Sequence, residues 1–203
     1  MSDLRRVKIV FLMVLLTAAC TMPATKIYSL YFPDEEKTTQ KTSGTSLSLS
    51  VASARYLAQP YIAYRTSPYQ LELSGYAKWD AAPAEMVRDA FRHSFETCGL
   101  FKEVRTSHFP TQDAYALEIY VRRFERLDAE GGPYGDLAFD ARLFSPGGKE
   151  LYRGEFSRKV RLHDGSFLSL AKALSAGLLE TMDEVKGQVA DVISAAVDSA
   201  EAP

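Results

Sequence analysis

Cys20 is the side chain best placed for covalent chemistry in this sequence, because of what precedes it. Arg5, Arg6 and Lys8 form a basic segment, Ile9 to Leu16 (IVFLMVLL) form an unbroken apolar run, and Thr17, Ala18 and Ala19 put small side chains just before the thiol. Basic, then apolar, then small is the anatomy of a bacterial secretory signal. The apolar run is far short of the roughly 20 residues that cross a hydrocarbon layer, and no later segment approaches that length. The sequence predicts export, and the chemistry it predicts at Cys20 is attachment of a diacylglyceryl group through sulfur.

The stretch Leu16 to Cys20 resembles a lipobox with one departure: leucine usually stands three residues before the cysteine, and here that place holds Thr17, with Leu16 one position early. Cleavage before a lipidated Cys20 leaves an anchored protein; plain cleavage after Ala19 leaves a soluble periplasmic one. In bacteria that sort lipoproteins by the residue after the cysteine, Asp retains them at the inner membrane. Thr21 is not Asp, so the sorting rule points to the outer membrane, facing the periplasm. The other cysteine is Cys98, which lipidation of Cys20 leaves without an intramolecular partner in an oxidising compartment. Cys98 ends an apolar helical stripe just before Gly99 and reads as a small core residue; an intermolecular disulfide and a reactive thiol are the alternatives.

The remaining chemistry-bearing residues do not converge. His93 has neither His, Cys nor a close carboxylate at i+4, and His108 and His163 have no ligand spacing to each other, so no metal is expected. A G-x-S-x-G elbow and a phosphate-cradling glycine loop are both missing. GGPYG, residues 131–135, joins two strands as a hairpin loop, and HDGS, residues 163–166, reads as a strand-to-helix turn capped by Ser166. Neither an enzyme nor a cofactor is expected.

Several elements must position these residues. KIYSLYF, residues 26–32, is aromatic for a linker and reads either as a short strand docked on the domain or as a contact for membrane or partner. Residues 33–46 (PDEEKTTQKTSGTS) are polar and aperiodic, which is linker composition. A strand begins at Leu47, with Leu47, Leu49 and Val51 alternating with serines; YIAYRT and LELSGY follow as a hairpin. Met86, Val87, Ala90, Phe91, Phe95 and Cys98 fall at helical spacing, with Asp80 and Pro83 at the start and Gly99 at the end. Three longer strands, from Tyr115, Asp136 and Glu150, read as an antiparallel meander. In the first, Leu117, Ile119 and Val121 share one face, and Tyr120, Arg122 and Phe124 share the other. From Phe167 a stripe through Ala171, Leu174, Leu178, Met182, Val185, Val189, Val192 and Ala196 predicts a helix near 30 residues long. That length exceeds the usual range and favours a bend or break at Gly177 or Gly187.

The expected architecture is α+β: an antiparallel sheet of about five to six strands, a helix after the first strands, and a long C-terminal helix on one face. The expected divisions are a signal peptide at 1–19, a lipidated tether at 20–46 and one domain at 47–203. The 46% hydrophobic and 11% aromatic content is that of a folded chain. A net charge of -2 with mixed signs argues against nucleic acid binding. The arginines of the meander alternate with Glu118, Glu125, Glu150 and Glu155, so cross-strand pairing accounts for much of their charge.

Residues 56–87, YLAQPYIAYRTSPYQLELSGYAKWDAAPAEMV, resemble the signature region of the ABC-type transport auxiliary lipoproteins, the group that includes the paraquat-inducible protein C. The resemblance rests on Tyr56-Leu57, on Pro60 with Ile62 and Arg65, and on Leu73 to Trp79 with Pro83; Gln59 departs from a position where a basic residue is common. Tyr28-Ser29-Leu30 resembles the family's aromatic segment after the lipidated cysteine. The resemblance implies an outer-membrane lipoprotein, anchored through its N-terminal lipid, that works with a mammalian-cell-entry (MCE) domain protein and an inner-membrane transporter in moving lipids or other apolar molecules. A homo-oligomer is implied by analogy alone. Tyr28, Leu30, Tyr61, Tyr64, Tyr69, Tyr76 and Trp79 are then candidates for a partner interface, against the alternative that these aromatics pack helix onto hairpin. Two other functions compete: a lipid carrier that holds its ligand between sheet and helix, and, more remotely, a hydrolase using one of the histidines.

Overall fold

The computed structural model describes residues 24–33, 44–107 and 113–201, the last five as backbone only. Cys20, Thr21 and His108 lie outside the described residues. In chain order the elements are β1 (Lys26–Tyr28), β2 (Leu47–Ser53), a 3-10 turn (Arg55–Leu57), β3 (Tyr61–Ser67), β4 (Gln70–Trp79), α1 (Pro83–Thr97), β5 (Val104–Thr106), β6 (Tyr115–Ala129), β7 (Gly132–Phe144), β8 (Glu150–Arg161) and α2 (Phe167–Glu201).

The fold is α+β, with the helix after the early strands and the long C-terminal helix in the expected places. Among the described residues the sheet has eight strands rather than five or six, and it is mixed rather than antiparallel. The expected hairpin β3–β4 and the meander β6–β7–β8 are antiparallel, but β1 runs parallel to β4, β2 parallel to both β5 and β6, and β3 parallel to β6. Parallel neighbours need long crossovers, and such partners are separated by too much chain to be read from local periodicity. β6 is the trunk. One of its edges is paired along its length by β7, while the other is shared, β2 taking Tyr115 to Val121 and β3 taking Glu125 to Leu127.

Where β2 gives way to β3, the register of β6 against β7 shifts between Val121 and Arg123. One extra residue reverses the alternation of faces. Phe124 therefore joins Leu117, Ile119 and Val121 in the core instead of lying on the opposite face with Tyr120, and it is completely buried.

Both helices lie on this core face. Phe91 of α1 meets Phe139 of β7 edge-on at 5.6 Å, and Leu170, Leu174, Leu178, Met182, Val185, Val189 and Ile193 bury one stripe of α2. Ile193, rather than Val192, closes that stripe. α2 is one helix of 35 residues with no break at either glycine. Gly177 has another reason to be there: a Cβ on it would come within 3.2 Å of Val160 Cγ2, so it lets the helix settle onto β8. Gly135 does the same from the sheet side, where a Cβ would lie 3.3 Å from that of Ala173. Close helix–sheet contact is the use of glycine here, not conformational freedom.

Candidate interaction surfaces

The signature residues meet at a buried carboxylate. Glu125 on β6 is only 1% exposed although it points to the sheet face that carries no helix. Arg65 Nε of β3 donates to its Oε1 at 2.7 Å, and the Tyr56 hydroxyl, from the 3-10 turn, donates to its Oε2 at 2.6 Å. Burial first, and then the bond to Glu125, push the Tyr56 phenol above its ordinary value. The separate bond from Arg65 to Glu125 holds the Arg65 guanidinium more firmly protonated. This network fastens the segment between β2 and β3 across the branch of the sheet. Trp79, 2% exposed, packs edge-on against Phe124 at 5.3 Å. Pro83 occupies the first turn of α1, where Ala82 is the cap and makes no side-chain bond.

The rest of that open sheet face is a lattice of ion pairs. Arg122 meets Asp140 at 3.1 Å, Arg123 meets Asp136 at 3.0 Å, and Arg142 meets Glu118 at 2.8 Å. The positive charge of the meander is therefore largely answered by acids on neighbouring strands. Arg126 behaves differently: on the helix face its guanidinium lies 5.2 Å from the ring centres of both Tyr64 and Phe167, and it donates to the Gly165 carbonyl at 2.8 Å. Tyr28 and Tyr76 complete the ring cluster around Phe167.

Of the aromatic positions singled out by sequence, Tyr28 and Tyr64 are half-buried in this cluster. Tyr64 also donates to Glu72 at 2.6 Å. Tyr61 is half-buried beneath Lys78, whose Nζ lies 5.0 Å from the ring centre. Tyr69, at the tip of the β3–β4 hairpin, is 97% exposed. Leu30 packs against the core.

The segment after β1 stays on the domain as an arm. Tyr31 N–H donates to Ser175 Oγ of α2 at 3.1 Å, and Phe32, like Leu30, packs on the core. Between this arm, α1 and α2 runs a groove of about 410 Å³, lined by Leu30, Phe32, Met86, Ala90, Leu179 and Met182, with Asp80, Asp89, His93 and Ser94 among its polar members. Sequence periodicity missed the groove, since its walls come from three segments far apart in the chain. The aromatic composition of residues 26–32 was the local signal that could have pointed to it.

Among the described residues no group of three or more His, Cys, Asp or Glu is placed to hold a metal. His93 and His163 are exposed, and His163 sits 3.9 Å from Asp164. Asp164 accepts bonds from Ser166 N–H and Ser169 Oγ, which hold its carboxyl well below the usual range. Ser166 Oγ in turn accepts from Ser169 N–H, the capping contact expected at the start of α2. Cys98 is half-buried, with its thiol directed at the Phe95 carbonyl. No helix of the described residues is long and apolar enough to cross a membrane.

Residues 28–186 match the model of a family described as an ABC-type transport auxiliary lipoprotein component. None of the curated proteins matches. Among solved structures, protein XCC0632 from Xanthomonas campestris is 21% identical, with a TM-score of 0.74 over 85% of this chain and 99% of that one. A second, of an uncharacterized protein, is 16% identical, with a TM-score of 0.61 over 81% of this chain and 99% of that one. These two share the fold.

Proposed function

Since the chain belongs to the family of ABC-type transport auxiliary lipoprotein components, we propose that it is a non-enzymatic, periplasm-facing subunit of an ABC/MCE-type envelope transport system. In this reading Cys20 carries the lipid, Thr21 directs the protein to the outer membrane, and the folded domain docks on an MCE-domain protein to assist passage of lipids or other apolar molecules. The extent of the family match carries the proposal: it runs from Tyr28, the last residue of β1, to Lys186 within α2, so it takes in β2 to β8, all of α1 and the first part of α2. Tyr69 is the docking residue this reading favours, because an aromatic at a hairpin tip offers a large contact area that nothing in its own fold uses.

The test is recovery of partners from membranes in mild detergent, using the full-length tagged chain. An MCE-domain protein is expected among them, and its yield should fall several-fold with Tyr69→Ser while the thermal unfolding of the domain is unchanged. Repeated recovery of the intact lipoprotein with no MCE-domain protein would sink the proposal.

A further inference from the structure

The groove between the arm, α1 and α2 has the chemistry of a ligand site, and nothing in the docking role requires it. Its floor is apolar and adaptable: Met86 and Met182 are flexible thioethers that repack around differently shaped guests, and Leu30, Phe32, Ala90 and Leu179 supply the rest. At about 410 Å³ it is near the lower end of the ~300–1,000 Å³ of small-molecule pockets, which suits one chain better than two.

Its polar side chains include two carboxylates, one imidazole (His93) and the Ser94 hydroxyl. Asp80 and Asp89 line the groove and no Lys or Arg does. The Asp80 carboxylate has no partner among the described residues. Asp89 has Arg88 beside it at 3.3 Å on one oxygen, an exposed pair of the sort that contributes little. Below them Ser94 is 3% exposed, and its hydroxyl is unbonded among the described residues, forgoing even the Ala90 carbonyl one turn back. A buried hydroxyl without a partner is costly and points to a bond made by something else. The chain that continues from Pro33, residues 34–43 (DEEKTTQKTS), has no aliphatic or aromatic side chain with which to fill an apolar groove.

We infer that this groove binds a single-chain amphiphile with a cationic, amine-bearing head, its tail laid along Met86, Leu179 and Met182 and its head between Asp80 and Asp89. Ser94 bonds the polar atom where tail meets head. The acidic mouth repels a carboxylate or phosphate monoester and attracts an ammonium, so discrimination is electrostatic and affinity is apolar.

The test uses the mature chain from residue 20 with Cys20→Ser, at low ionic strength and neutral pH. Dodecylammonium and dodecanoate, each below its micelle concentration, compete with an environment-sensitive naphthylamine dye. Dodecylammonium should displace the dye at about tenfold lower concentration than dodecanoate. Asp80→Asn with Asp89→Asn, both exposed and outside the packing, should shrink that ratio to about twofold or less. Ala90→Trp places an indole in the groove and should abolish binding of both. Equal affinity of the native chain for the two amphiphiles overturns the inference, as does undiminished binding by an Ala90→Trp variant with a native unfolding curve. Should that variant fail to fold, the paired Asn substitutions decide alone. Recovery of an MCE-domain protein is independent of all these outcomes, so the docking role and the groove stand or fall separately.

Discussion

At the scale of single residues, Glu125 carries more than any other polar group. It is a nearly inaccessible carboxylate with two donors, Arg65 and Tyr56, that reach it from different segments. Removing its charge leaves a guanidinium and a phenol facing a weaker acceptor in a site that excludes water. Glu125→Gln should cost about 2–4 kcal/mol in urea unfolding, and Tyr56→Phe about 1 kcal/mol. The double variant should cost less than the sum, because both substitutions act on the same bond. The raised Tyr56 phenol adds a pH signature. The native state holds that proton more tightly than the unfolded chain, whose phenol ionises near 10.0. Its contribution is complete below pH about 10 and is lost as pH climbs above it. Tyr56→Phe should flatten part of the alkaline fall in urea midpoint; an unchanged slope would show that the phenol is not held in its buried place beside Glu125. Tyr56 and Arg65 are thus motif residues that serve the branch of the sheet.

At the scale of elements, the two glycines of α2 make opposite predictions. Nothing lies within 4 Å of a Cβ at Gly187, whereas one at Gly177 meets Val160 at 3.2 Å. Gly187→Ala should raise stability by roughly 0.5–1 kcal/mol through helix propensity and lost backbone freedom. Gly177→Ala should gain less or turn destabilising, and Gly177→Leu should lose several kcal/mol as the helix is levered from β8. Thermal or urea unfolding of the three variants checks this. The elements themselves were largely legible: the helical stripes, the β3–β4 hairpin and the meander follow from periodicity, and the Ser166 cap from a short motif. Strict alternation puts Phe124 on the wrong face because a single bulge residue changes parity without any signature in composition. The parallel pairings escaped because they join Leu47 to Tyr115 and Lys26 to Ala77, contacts that only the assembled core selects. Of the groove, only the aromatic arm was visible; its other two walls are helices whose periodicity reports the core and is silent about a neighbour.

At the scale of the whole molecule, the proposed anchorage through Cys20 would make membrane association a property of one atom. Cys20→Ser in the full-length chain should move the protein from the membrane to the soluble periplasmic fraction, with the folded domain unaltered by circular dichroism. A variant that stays with membranes after a high-salt wash would show that another surface holds it there. Lys26 to Phe32, half-hidden in composition between signal and linker, is part of the domain through its pairing with β4 and its bond to Ser175.

That docking shortens the leash. If the chain were free as far as Leu47, the domain could roam up to about 90 Å from the bilayer. With β1 in the sheet, a lipid on Cys20 would leave only the five residues between it and Lys26 as tether, at most about 22 Å over six Cα steps. Under the proposed anchorage the domain would be confined to a thin shell above the leaflet, where its concentration toward anything else in that shell would be raised and its access to anything farther off denied. Under that anchorage, a partner would have to come to the membrane.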